Sequence, residues 1–157
     1  MIAEDNVREV GTFEEYTLFS LDQSLDGLHA MTREARYCGD ALRKGAPEIP
    51  KIKALAEHLH QFNMFENNVS AVFGVDRAAC ADAQGSFESA MTAYRKGLED
   101  FGNSLERGDV AEAGRVLAEE IAASLARIGT LLPSVRDSIA REYGDTSAAE
   151  ASAKIRS

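Results

Sequence analysis

Glu57 and His60 are the two residues of this chain whose types and spacing come closest to a metal-binding motif. Residues three positions apart on a helix project to the same side, which is why metal sites inside helical bundles use Glu-x-x-His units. A complete site of that kind needs two such units and two further glutamates. The chain has 3 histidines, none of them after position 60. We therefore expect solvent-exposed side chains here and predict neither a metal nor a cofactor. The alternative is a metal- or cofactor-binding bundle that uses Glu57 and His60.

The remaining histidines and the two cysteines give weaker signals. Asp26 and His29 repeat the same spacing with a shorter acid. His58 adjoins the apolar stripe of its predicted helix, so we expect it half-buried at the edge of the fold, with a pH switch as the alternative. Cys38 and Cys80 are isolated and form no CxxC motif. We expect each to be a buried, reduced thiol rather than a redox or metal-binding group.

Sequence patterns of enzyme sites are missing from the chain. It has no glycine-rich phosphate loop after a strand and no Gly-x-Ser-x-Gly elbow. Adjacent acids such as Glu99 and Asp100 splay apart on a helix, so they do not form an acid–base pair. The sequence therefore favours a non-enzymatic protein.

The charge of the chain excludes several classes of partner. Over 157 residues, 17 Lys and Arg stand against 26 Asp and Glu, a formal charge of −9. Such a protein repels nucleic acids and anionic membrane surfaces. No apolar run approaches the roughly 18 residues that a membrane-spanning helix needs. The first ten residues lack the basic start and apolar stretch of a secretory signal, so we expect a cytoplasmic protein.

The charges are also unevenly distributed. Residues 1–30 contain seven acids and one base, whereas Arg43, Lys44, Lys51 and Lys53 lie close together in the sequence. The simplest interpretation is that acids begin a helix and bases end it, matching the helix dipole. A site for an anion or an acidic partner near these four bases is the alternative.

Helical periodicity runs through almost the whole chain. The first helix is predicted to begin at Thr12, which forms a Thr-x-x-Glu capping box with Glu15, and to end before Gly45. The second is predicted to begin within residues 47–50, where prolines suit a first turn, and to end at Gly74.

The third helix carries a regular heptad pattern. Asp76 is its predicted N-cap, although Gly85 could separate residues 76–85 as a short helix of their own, and Gly108 is its predicted end. The pattern is typical of packing in a left-handed bundle, so we expect Phe87, Met91, Leu98 and Phe101 to be largely buried. It consists of Phe87, Met91, Tyr94, Leu98, Phe101 and Leu105.

The fourth helix is predicted to open with the capping pair Asp109 and Glu112 and to close at Gly144. Pro133 lies inside its pattern, so a kink is expected there. Four amphipathic helices with short connections predict an all-α fold, an antiparallel up-down-up-down four-helix bundle with long first and fourth helices. We expect one domain over residues 1–144 and a loose C-terminal tail over residues 145–157.

The second helix has more apolar surface than a bundle requires. A bundle helix needs an apolar arc of about 100°, and here the arc is wider. The excess predicts a partner-binding surface that contacts another protein or a second copy of the chain. We therefore predict a binding or adaptor module, possible as a homodimer and similar in role to a chaperone. The predicted partner-binding residues are Phe62, Phe65, Val69, Val72 and Phe73.

Overall fold

The computed structural model describes the backbone of residues 13–156 and the side chains of residues 13–142. Within that part, the chain forms four helices and one very short antiparallel hairpin, which confirms the all-α prediction. The first elements are α1 (Phe13–Arg43), α2 (Ile49–Phe73), β1 (Ala81–Asp82), β2 (Gly85–Ser86) and α3 (Phe87–Glu106). The last helix, α4, has three consecutive segments: α-helical Val110–Arg115, π-helical Val116–Ile121 and α-helical Ala122–Arg156.

The helix ends that the sequence predicts are largely confirmed. Helix α2 has Pro50 in its first turn and ends before Gly74, whose φ of 60° is the left-handed conformation that glycine adopts without strain. The N–H of Val75 then donates to the carbonyl of Ser70 at 3.0 Å, the long bond of a Schellman motif. At the start of α4, Asp109 caps the helix as predicted. The predicted cap Thr12 lies outside the described residues.

The connection between α2 and α3 differs from the prediction. Residues 76–85 form turns and part of the hairpin rather than a helix, and Ser86, not Asp76, is the N-cap of α3. Ser86 and Ser89 form a reciprocal capping box, each side chain bonded to the other residue's N–H. The serine pair satisfies two amides, whereas the side chain of Asp76 bonds within its own turn, to the N–H of Ala79.

The core lies where α1 and α3 pack against α4, and α2 packs mainly against α1. Helices α1 and α4 approach most closely at two glycines. A Cβ atom added to Gly39 would lie 2.6 Å from the carbonyl oxygen of Gly114, so only glycine permits this crossing. The largest fully buried side chains are Leu28, Phe87, Met91, Tyr94, Leu117, Ile121, Leu125, Ile128, Leu131 and Ile139.

The heptad stripe of α3 is buried only in its first half. Phe87 and Met91 are fully buried, whereas Leu98 and Phe101 are half-buried and Leu105 is 43% exposed. Phe87 and Met91 are thus buried as expected, and Leu98 and Phe101 pack against the core from partly buried positions. Leu98 and Phe101 line a cleft of about 130 Å³ between α2 and the second half of α3, where the two helices do not pack closely.

The end of α4 also differs from the prediction. Its backbone remains helical as far as Arg156, so the prediction that the helix closes at Gly144 is wrong. The division into a domain over residues 1–144 and a loose tail after it stays a prediction. Pro133 lies inside the last segment, and the kink there stays a prediction. Within the described residues, no helix combines the length and the apolar character that crossing a membrane would require.

Candidate functional site

A long apolar groove runs between α1 and α2. The two helices are antiparallel, because the ring of Phe13 at the start of α1 stacks on that of Phe73 at the end of α2, with centroids 5.9 Å apart. The groove consists of two adjoining cavities of about 610 and 170 Å³, and Phe65 lines both. At its other end lie Glu34 of α1 and Lys51 of α2. From position 13 to position 34 the groove is about 32 Å long at 1.5 Å per residue.

The wall formed by α1 is built mainly of small and aromatic side chains. Its residues recur at intervals of three or four, which places them on one face of the helix. Aromatic rings occupy the N-terminal end and small residues the middle. The wall comprises Phe13, Tyr16, Thr17, Ser20, Ser24, Gly27, Ala30, Met31 and Glu34.

Gly27 leaves this wall open in the middle of the larger cavity. A Cβ atom built on Gly27 would meet no atom within 4 Å. Among the described residues, Gly27 therefore has no neighbour that requires a glycine, unlike Gly39 at the crossing with α4.

The wall formed by α2 contains all five predicted partner-binding residues. Phe62 and Val69 are buried and form its floor, where the ring of Phe62 meets that of Tyr94 edge-on at 6.2 Å. Phe65 and Phe73 are half-buried, and Val72, at the rim, is 63% exposed. The structure thus brings the five residues to one surface, while their binding of a partner stays a prediction.

The opposite wall was missed from the sequence. Phe13 and Tyr16 are exposed by more than half of their surface and complete the groove beside Phe73 and Val72. Their spacing of three is a signal of a shared face, but it lies apart from the leucine stripe that defines the core side of α1. Nothing in the sequence indicates that this second face meets the excess apolar arc of α2.

A buried carboxylate lies on the other side of α2. Glu66 is only 4% exposed, and its two oxygens accept bonds of 2.8 Å each from Nε and Nη2 of Arg77. The hydroxyl of Ser70 donates to the same carboxylate at 2.6 Å. Arg95 of α3 lies 3.5 Å away and donates to the side-chain oxygen of Asn67 at 2.7 Å. This network fixes α2 to α3 and to the connection between them.

The sequence indicates the buried acid of this network but not its cationic partner. Glu66 falls in the apolar stripe of α2, between Phe62 and Val69, so its burial could have been predicted from helical spacing. A buried acid requires a cationic partner. Arg77 lies beyond the end of the helix, where no periodicity applies, and could not have been named.

The residues of the alternative metal site are exposed. The side chains of Glu57, His58 and His60 are exposed, so the expectation that His58 is half-buried is wrong. Its position 100° from Leu59 turns it towards the groove rather than into the core. Among the residues that the structure describes, no three His, Cys, Asp or Glu side chains are grouped to hold a metal ion.

Both cysteines are buried free thiols, as predicted. Cys38 packs in the core of α1, and Cys80 lies in the connection before α3. Desolvation raises the pKa of each thiol above its ordinary value. Since the thiolate is the reactive form, neither cysteine is suited to nucleophilic chemistry.

Comparison with protein families, with curated proteins and with solved structures finds no match.

The lining of the groove determines what it can do. Glu34, Lys51 and His58 are the acidic and basic residues among the lining side chains of the two cavities, and the first two lie together at one end. The groove otherwise offers aromatic, aliphatic and small side chains. Such a surface can bury apolar side chains of a ligand.

Proposed function

We propose that this protein is a non-enzymatic interaction module that binds an amphipathic helix of a partner protein in the groove between α1 and α2. The observation that carries the proposal is the continuity of the groove, since Phe65 lines both of its cavities. About 32 Å accommodates roughly 20 helical residues. An amphipathic helix docks in such a groove through apolar side chains at i, i+3, i+4 and i+7.

The concave shape favours a helix over a second copy of the same surface. A two-fold dimer brings one surface against itself, so two grooves would face each other and enclose empty space. A single helix instead presents a ridge of side chains that fills the groove. The exposed rings of Phe13 and Tyr16 and the half-buried ring of Phe65 are aromatic contacts of the kind that dominate binding energy.

Gly27 and Gly102 provide a matched pair of variants to test the groove. Both are half-buried helical glycines at which an added Cβ atom meets nothing within 4 Å, but only Gly27 lines the groove. Gly27→Leu should therefore fill the larger cavity without disturbing the fold, and Gly102→Leu should leave it open. The probe is a fluorescent 20-residue helical peptide with a leucine stripe and an uncharged glutamine face, followed by anisotropy.

We expect the peptide to bind the unmodified protein and Gly102→Leu alike, and to bind Gly27→Leu at least about tenfold more weakly, since one large side chain then occupies the site. Equal binding to all three proteins would refute the proposal that the groove binds a helix. Absence of binding at up to a 100-fold molar excess of peptide over protein would refute it as well.

Phe65→Asp separates a binding role from a core role at the residue that lines both cavities. As an interface residue, Phe65 can be replaced with little change in melting temperature, while peptide binding disappears. Unfolding of this variant would make Phe65 an ordinary core residue. Sedimentation of the unmodified protein completes the test: a dimer that Phe65→Asp dissociates would show that a second copy, not a partner helix, covers the groove.

A further inference from the structure

The two helices that form the groove carry acids but no lysine or arginine over most of their length. Residues 13–32 of α1 and 54–73 of α2 contain no Lys or Arg at all. The nearest bases on α2, Lys51 and Lys53, lie at one end, where Lys51 is within 3.5 Å of Glu48. The acids in the two segments are Glu14, Glu15, Asp22, Asp26, Glu57 and Glu66.

Two of these acids are neutralised within the protein. Asp22 accepts a bond of 2.7 Å from Arg136 of α4, and Glu66 is bound by Arg77. Asp26 and Glu57, in contrast, have exposed side chains that form no ion pair with any residue the structure describes.

Helical spacing places these two carboxylates beside the residues that line the larger cavity. Asp26 precedes Gly27 on α1 and Glu57 precedes His58 on α2, and both Gly27 and His58 line that cavity. A step of one residue turns a helix by 100°, and in both helices this step leads away from the core. The side chains therefore stand on the outer rim, one on each side of the groove.

We infer that the helix bound by the groove is basic, with Lys or Arg residues flanking its apolar stripe; this inference rests on the proposed function. A basic helix places its cations against Asp26 and Glu57 on either side while its apolar residues fill the cavity between them. Charge complementarity of this kind steers association and discriminates between partners. A second copy of this chain would instead bring the same acids towards each other, which disfavours it.

Two peptides that share one leucine stripe test the inference. One carries lysines at the positions that flank the stripe and the other glutamates. Binding is measured by anisotropy at about 50 mM and about 500 mM salt, because exposed ion pairs weaken as salt screens them. We expect the lysine peptide to bind about tenfold more tightly at low salt, from two exposed ion pairs, and the preference to shrink at high salt.

The double variant Asp26→Lys, Glu57→Lys should remove or reverse the preference. Its matched control is Glu99→Lys, Glu106→Lys, which makes the same change of net charge at exposed positions of α3. The control should retain the preference within about twofold. Equal loss in both double variants would mean that general attraction to an acidic protein, not the rim, selects the peptide, and would overturn the inference.

The two proposals fail in different ways. Absence of binding by both peptides at either salt concentration would overturn the groove itself. Equal binding of the two peptides at low salt, with binding still weakened by Gly27→Leu, would leave the groove in place and overturn only the basic character of its partner.

Discussion

Replacing Arg77 by alanine should destabilise the protein far more than its position in a connection suggests. Arg77 supplies both bonds of a bidentate ion pair to Glu66, whose carboxylate is 4% exposed. In Arg77→Ala that carboxylate stays buried without its main cation. Breaking one partner of a buried ion pair costs about 3–5 kcal/mol of unfolding free energy.

The lower end of that range applies here. Arg95 lies 3.5 Å from Glu66, and Ser70 still donates a hydrogen bond, so part of the stabilisation of the carboxylate remains. We expect a loss of about 3 kcal/mol, which for a chain of this length lowers the melting temperature by about 6–12 °C. Urea unfolding followed by circular dichroism at 222 nm measures both the midpoint and the slope.

Arg115→Ala is the control for this prediction. Arg115 contacts Glu112, Glu119 and Glu120, but all four side chains are substantially exposed, so its loss should cost less than about 1 kcal/mol. Adding Glu66→Gln to Arg77→Ala should recover more than about 1 kcal/mol, because the amide carries no buried charge. Equal costs for the two single arginine variants would refute the argument that burial makes the Glu66 pair important.

Two further predictions concern the hairpin and the core. Arg127 and backbone amides of the hairpin lower the pKa of Asp82 from 3.8 to about 2, so the carboxylate stabilises the fold at pH values above 3.8 and this contribution is lost as the pH falls through 2. The difference in melting temperature between the unmodified protein and Asp82→Asn should be constant above pH 5 and narrow below pH 4; a constant difference down to pH 2.5 would contradict it. Tyr94→Phe should lower the unfolding free energy by about 1 kcal/mol, because the buried hydroxyl donates to the carbonyl of Leu59 at 2.9 Å. Urea unfolding measures this difference, and no change would mean that the hydrogen bond contributes nothing to stability.

Most helix ends could be predicted because they depend on local chemistry. Gly45, Gly74 and Gly108 all have positive φ at or just beyond the ends of helices, and Asp109 caps the next helix through its own side chain. These effects involve residues within one turn of each other. They are therefore visible in a sequence without knowledge of the tertiary structure.

The connection before α3 shows where local signals compete. Asp76 and Ser86 are both good N-cap residues, and periodicity alone cannot choose between them. The hairpin settles the choice through a distant contact: Asp82 binds Arg127 of α4, 45 positions away, partly through a bond of 2.8 Å. Likewise, no residue type within the segment Val116–Ile121 predicts its π-helical geometry.

The candidate site was half predictable for a related reason. The excess apolar arc of α2 is a property of one helix, so it identified Phe62, Phe65 and Val72. The other wall depends on which face of α1 turns towards α2, and that is decided by the packing of α1 against α4. Sequence reasoning could find a surface that needs covering, but not the second helix that makes it concave.

The neighbours Phe65 and Glu66 show how α2 combines stability with an available surface. One residue along the helix is a turn of 100°, enough for Glu66 to face the arginines of the connection and of α3 while Phe65 faces the groove. The charged network therefore holds α2 to α3 together with the buried contact between Phe62 and Tyr94. Substitutions at Phe65 and at Arg77 should therefore affect binding and stability separately, since Phe65 lines the groove and Arg77 binds Glu66 on the other side of α2.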